Sequence, residues 1–111
     1  MDDQNKRIQF EYEGRTYELY LSMKRVEMIE NVLDKSLLGL LANTRGMLKI
    51  SDAKVIMGYS MRNVDGDGGY QSTKIGVEIA EALIRKEGLN YVLEIIADAM
   101  ERDCPFFFQN A

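Results

Sequence analysis

Tyr17, Leu19 and Leu21 alternate with Thr16, Glu18 and Tyr20, the two-residue period of a strand that buries one face. From Met23 the spacing changes without a linker. Met23, Val26, Ile29 and Val32/Leu33 fall on one face of a helix. Ser22 stands at the change, with a hydroxyl placed to accept from a free N–H of the first helical turn. Upstream, Ile8, Phe10 and Tyr12 alternate with Gln9 and Glu11, so residues 6–12 and 15–21 read as two strands around Glu13-Gly14. Gly14 supplies the positive φ that a tight hairpin turn requires. A lone hairpin is marginal in water, so its apolar face is expected on helices or on another chain's hairpin.

Helical spacing dominates the rest. The first helix is expected over 23–34, and Ser36 is placed to cap a short one that runs to residue 42. Leu37, Leu38, Leu40 and Leu41 are too dense for one narrow stripe, which predicts burial most of the way round. Gly46 is available as a left-handed terminator. Ser51 reads as the next N-cap, with Ile50 and Val55 in the staple positions and Asp52 favoured in the first turn by the helix dipole. That helix is expected over 52–62, with Val55, Ile56 and Tyr59 inward and Met57 and Met61 beside them. Glycines and aspartates oppose regular structure over 63–73. A helix over 74–86 carries Ile75, Ile79, Ala82 and Leu83 on one face and stops at Glu87-Gly88. Asn90 is placed to cap a last helix over 91–102, with Val92, Ile95, Ile96 and Ala99 inward, and Pro105 bars its continuation. The expected fold is mainly α with a short N-terminal β-hairpin, an α+β chain with about five helices in one small domain. Its parts are the hairpin (6–21), a helical part (22–103) and a tail (104–111).

The 111 residues suit a single domain. A net charge of −4 argues against nucleic acid as the main partner, because phosphate contacts need a basic surface. The absence of any apolar run of about 18 residues argues against a membrane span. Residues 1–10 are polar and lack the apolar core of a signal peptide, and the single Cys104 suits a reducing compartment, so a cytoplasmic location is expected. Charge is unevenly spread. Residues 23–74 carry eight Lys/Arg against six Asp/Glu, whereas 75–111 carry three against seven. That reads as solvated helix faces, or as two complementary surfaces for self-association or docking.

There is no histidine, which removes Ser-His and Cys-His nucleophile systems, imidazole bases and most zinc sites. Cys104 precedes a proline at a helix C-terminus, beside Asp103 and Glu101, all of which discourage a thiolate. Asp65 and Asp67 in DGDGG invite a calcium reading, but the positions that should supply further ligands and the loop glycine hold Gly69, Tyr70 and Gly76. A surface loop is the better reading. The pairs Glu27/Glu30 and Glu78/Glu81 are expected to face solvent. With no catalytic, cofactor or metal residue in view, the chain reads as a binding module and not an enzyme. Methionine is by default an adaptable core filler, but it also serves surfaces that fit varied helices, with Met57 and Met61 the foremost candidates. Phe106, Phe107 and Phe108 cannot all turn inward from one extended segment; the tail either folds back over the helices or docks on a neighbour.

The stretch from Phe10 to Leu41 resembles the start of small tail assembly chaperones of long-tailed phages, prophages and gene transfer agents. The residues that carry the resemblance are Gly14, Tyr17 and Leu19 in the hairpin, then Asp34-Lys35-Ser36-Leu37-Leu38-Gly39-Leu40-Leu41. The order that follows, a helix near 51–62, a Gly-rich loop and two closing helices, is similar too; the DGDGG loop and the FFFQNA end lie outside the pattern. The resemblance implies a non-enzymatic, self-associating helical protein. It would coat the tape measure protein and keep it soluble until tail tube subunits polymerise. Leu37, Leu41, Met57, Met61, Phe106, Phe107 and Phe108 are then the candidate partner contacts. The alternatives are a small structural head–tail or tail-completion protein that stays in the particle, and a small cytoplasmic enzyme or metal-dependent regulator.

Overall fold

The computed structural model describes residues 8–44 and 48–107, the side chains of 41–44 excepted. Strands β1 (Gln9–Tyr12) and β2 (Arg15–Leu19) pair antiparallel, with Phe10 opposite Tyr17 and Tyr12 opposite Arg15. Both turn residues are left-handed, Glu13 at φ 51° and Gly14 at φ 80°. That is the primed two-residue turn whose twist matches the strands it joins. Phe10 and Tyr17 stack at 5.9 Å between centroids, and with Ile8 and Leu19 they give the hairpin its buried face.

A third strand, β3 (Met61–Asn63), lies where the sequence predicts the end of a helix. It pairs antiparallel with β2, Leu19 opposite Met61 and Tyr17 opposite Asn63, giving the order β1-β2-β3. The preceding helix, Ile50–Ser60, stops early because its end is bonded twice. The Ser60 hydroxyl donates to the Ile56 carbonyl (2.7 Å), and the Ser60 carbonyl accepts from Tyr20 N (2.8 Å). With that carbonyl taken by the hairpin, Met61 is already extended and the chain leaves as a strand.

The described helices are α1 (Met23–Leu33), α2 (Leu37–Thr44), α3 (Ile50–Ser60), α4 (Thr73–Glu87) and α5 (Leu89–Asp103), followed by a 3-10 turn, Pro105–Phe107. The chain is thus mostly helical with a small antiparallel sheet, in one small domain, as its patterning predicts. Ser22 caps α1 as expected, its Oγ accepting from Arg25 N at 3.2 Å. Ser36 Oγ likewise accepts from Gly39 N at 3.0 Å. Asp34 ends α1 in the left-handed region, and the Glu30 carboxylate accepts from Leu37 N (2.8 Å), tying α2 to α1.

Two caps fall elsewhere than predicted. Helix α3 begins at Ile50 with Lys49 in the cap position and no side-chain bond, so Ser51 lies inside the first turn. Ile50 is 51% exposed, not stapled. Asn90 also lies inside its helix, because Gly88 alone, at φ 96°, ends α4 and starts α5. Gly46 lies outside the described residues.

Helices α3 and α4 cross where two glycines meet. A Cβ placed on Gly76 would lie 2.8 Å from both Cα and O of Gly58, so nothing larger than hydrogen fits there. Around this crossing pack Ile56, Met57, Ile79, Leu83, Val92 and Ile96. The far end of α5 closes onto the hairpin. Asp103 Oδ2 accepts from Leu21 N (2.9 Å), Arg102 Nη2 donates to the Leu19 carbonyl (2.7 Å), and the Cys104 thiol lies 3.6 Å from the Leu21 carbonyl. Burial, with the Asp103 charge beside it, pushes the Cys104 thiol up to about 12. Among the described residues no helix is long and apolar enough to cross a membrane.

Candidate functional site

The tip of the hairpin stands over one face of α4 and leaves two adjoining depressions. One, of about 430 Å³, is lined by Tyr12, Glu13, Arg15 and Tyr17 and by Ile75, Glu78 and Ile79. The other, of about 330 Å³, is lined by Glu11 through Gly14 and by Ala82, Leu83, Lys86, Glu87 and Tyr91. They share Tyr12 and Glu13. The α4 positions 75, 78, 79, 82, 83 and 86 recur three and four apart, which is one helix face running roughly 17 Å. The apolar spacing that makes α4 a helix therefore also makes the groove floor. Ile79 and Leu83 sink into the core, while Ile75, one turn earlier, stays 45% exposed.

The rim is acidic. Glu11, Glu13, Glu78 and Glu87 face only Arg15 and Lys86. The tyrosines register this field. The Tyr12 hydroxyl is held above the usual phenol value, chiefly by the Glu13 charge. Tyr91 is raised by its burial and then by Glu87. An aromatic and aliphatic floor under a carboxylate rim suits non-covalent recognition of apolar side chains flanked by cations.

The positions expected to touch a partner lie elsewhere, and three of them need correction. Leu37, Met57 and Met61 are each 0% exposed. Leu37 packs into the core at the start of α2, Met57 lies on the inward face of α3, and Met61 opens β3 opposite Leu19. None of the three offers its side chain to a partner in this fold; they are core fillers. Phe106 and Phe107 are half-buried, edge to face at 5.0 Å between centroids, and pack back against the core. The Leu41 side chain and Phe108 lie outside the described residues. The groove residues Tyr12, Tyr17, Ile75, Glu78 and Tyr91 escaped sequence reasoning. The available signal was Ile75, an apolar position on the α4 stripe that the fold leaves 45% exposed.

A second polar cluster is occupied by the fold itself. The Arg25 guanidinium lies 3.7 Å from the Tyr70 ring centroid and donates to the Tyr59 carbonyl; that of Arg62 lies 4.5 Å from the Tyr20 ring and donates to Glu18 (2.6 Å). The Tyr70 hydroxyl donates to the Tyr20 carbonyl (3.2 Å), which pins the loop after β3 onto the sheet. In that loop the Asp65 carboxylate accepts from Thr16 N (2.7 Å), and Asp67 accepts from Gly69 N (2.8 Å). The two aspartates thus anchor the loop, and among the described residues no three acidic or sulfur ligands come together to hold a metal ion. No family model, curated protein or solved structure matches this chain.

Proposed function

We propose that the chain is a non-catalytic tail assembly chaperone of a phage or prophage, acting in the host cytoplasm on helical segments of a tape measure protein. The observation that supports this most is the open groove along one face of α4, with Ile75 exposed at one end and Tyr91 at the other. Helix-binding proteins lay an amphipathic client into a surface groove, and this one pairs apolar and aromatic lining with a charged rim. The order of hairpin, capped helix and Leu-rich short helix agrees with the resemblance carried by Gly14–Leu41. Self-association belongs to the same reading. Met23, Val32 and Ile50 are each more than half exposed, and many weakly bound copies along one long client gain strength from multivalency.

The test is co-expression with a tape measure fragment from the same genome, followed by light scattering of the soluble fraction. A soluble co-complex is expected, together with oligomers that grow with concentration. A strict monomer that leaves the fragment insoluble refutes the reading. Recovery of the protein in finished particles would favour a structural component instead.

A further inference from the structure

We infer that the groove between the hairpin tip and α4 takes a cationic amphipathic helix, one apolar side chain in each depression and lysines or arginines along the rim. This rests on the chaperone reading and names the chemistry of its client. The spacing comes from α4. One depression centres near position 77 and the other between 82 and 87, so they lie roughly 11 Å apart along the helix. In a bound helix that is two turns, or side chains at i and i+7. The sign of the partner comes from the rim. Elsewhere on this surface carboxylates are already held, Glu18 by Arg62, and Glu81 by Arg85 and Lys54. Among the described residues no ion pair engages Glu13, Glu78 or Glu87. Glu78 and Glu87 are left for a partner's cations, and Glu13, hydrogen-bonded to the Tyr12 hydroxyl, adds its charge beside them. Tyr12 and Tyr91 add rings that favour cations further, and the aliphatic stems of lysine or arginine cover the floor between the two anchors.

The probe is a fluorescein-labelled synthetic helix of about four turns, with leucines seven apart and flanking lysines. A second peptide keeps the leucines and replaces every lysine with glutamate. Anisotropy titration is expected to show binding of the lysine peptide alone, weakening with added salt. Glu78→Lys and Glu13→Lys sit at exposed positions and should each weaken binding about tenfold with unchanged circular dichroism. Ile75→Ser tests the apolar anchor independently of charge. Failure of the lysine peptide to bind, equal binding of both peptides, or full binding by the charge-reversed variants overturns the inference. So does conversion of an oligomer to a monomer by Glu78→Lys, which would make a second copy the occupant. A tape measure co-complex that survives Glu78→Lys and Glu13→Lys removes the groove and leaves the chaperone reading intact. Peptide binding in the groove with no co-complex removes the chaperone reading alone.

Discussion

Replacing Gly76 with alanine tests the centre of the fold. The added Cβ would meet Gly58 Cα and O at 2.8 Å and Gly58 C at 3.2 Å. Carbon atoms in packed interiors settle at about 3.5–4.0 Å, so the two helices must part by close to an ångström or the Cβ must be strained. The obstructing atoms are backbone of α3 and have no rotamer to change. Overpacking of this kind costs about 1–3 kcal/mol, and separating the helices also loosens the contacts of Met57 and Ile79 on either side. Alanine returns at most about 1 kcal/mol of helix propensity, less here because Gly76 is in the first turn of α4. The net expectation is a loss of about 2 kcal/mol, or a fall in Tm of about 8 °C for a chain of this size. Gly58→Ala should also destabilise, since its Cβ would meet the Val77 Cγ2 methyl at 2.7 Å and backbone atoms of Val77 and Thr73 at 3.2 and 3.3 Å, and a valine in a helix has little rotamer freedom. Thermal and urea melts followed by circular dichroism, with the m-value checked for constancy, measure both. A Tm for Gly76→Ala within a degree of the parent refutes the close crossing.

Two further outcomes follow from single side chains. Ser22→Ala leaves the Arg25 amide without its cap and should lower stability by about 1 kcal/mol, measurable in the same melts, while Ser51→Ala, which removes no cap, should change it by less than about 0.5 kcal/mol. The Cys104 thiol, raised from 9.0 to about 12, should resist iodoacetamide at pH 8 in the native protein and react once urea unfolds it. Between those two values the unfolded chain loses the proton first. The stability contribution is therefore intact below pH 9 and drains away as pH rises towards 12, and replacing Cys104 with serine should flatten the upper end of the pH–stability curve. Rapid alkylation of the folded protein would contradict this burial.

Local periodicity carried most of the fold and little of the site. The hairpin, α1 and its Ser22 cap, α4 and α5 were legible because strand and helix spacing are strong over those runs and the capping chemistry is local. Strand β3 was not. Three residues, Met61-Arg62-Asn63, are too few to show a two-residue period, and what ends α3 is the Tyr20 amide, forty residues away in sequence. Ser51 reads as a cap because Ile50 and Val55 flank it in staple positions and Asp52 follows, yet the cap lies two residues earlier, at Lys49. The methionines show the limit of composition. Met57 and Met61 carry the chemistry of an adaptable surface, but their positions put them opposite Leu19 and inside the α3–α4 layer, where tertiary packing decides. The groove was invisible for the same reason. It exists only because the hairpin tip, an element some sixty residues earlier, stands over the α4 stripe and leaves Ile75 45% exposed.

The clasp between the hairpin and α5 can close only late in synthesis. Leu19 and Leu21 are made some eighty residues ahead of the partners of their backbone groups, Arg102, Asp103 and Cys104. Contacts spanning more than eighty residues carry a loop-closure cost that no early segment of the chain can offset. The hairpin can meet β3 and α4 earlier, but these backbone groups of Leu19 and Leu21 wait for the end of α5. A stop codon ahead of Arg102 would leave the Leu19 carbonyl and the Leu21 amide without these partners.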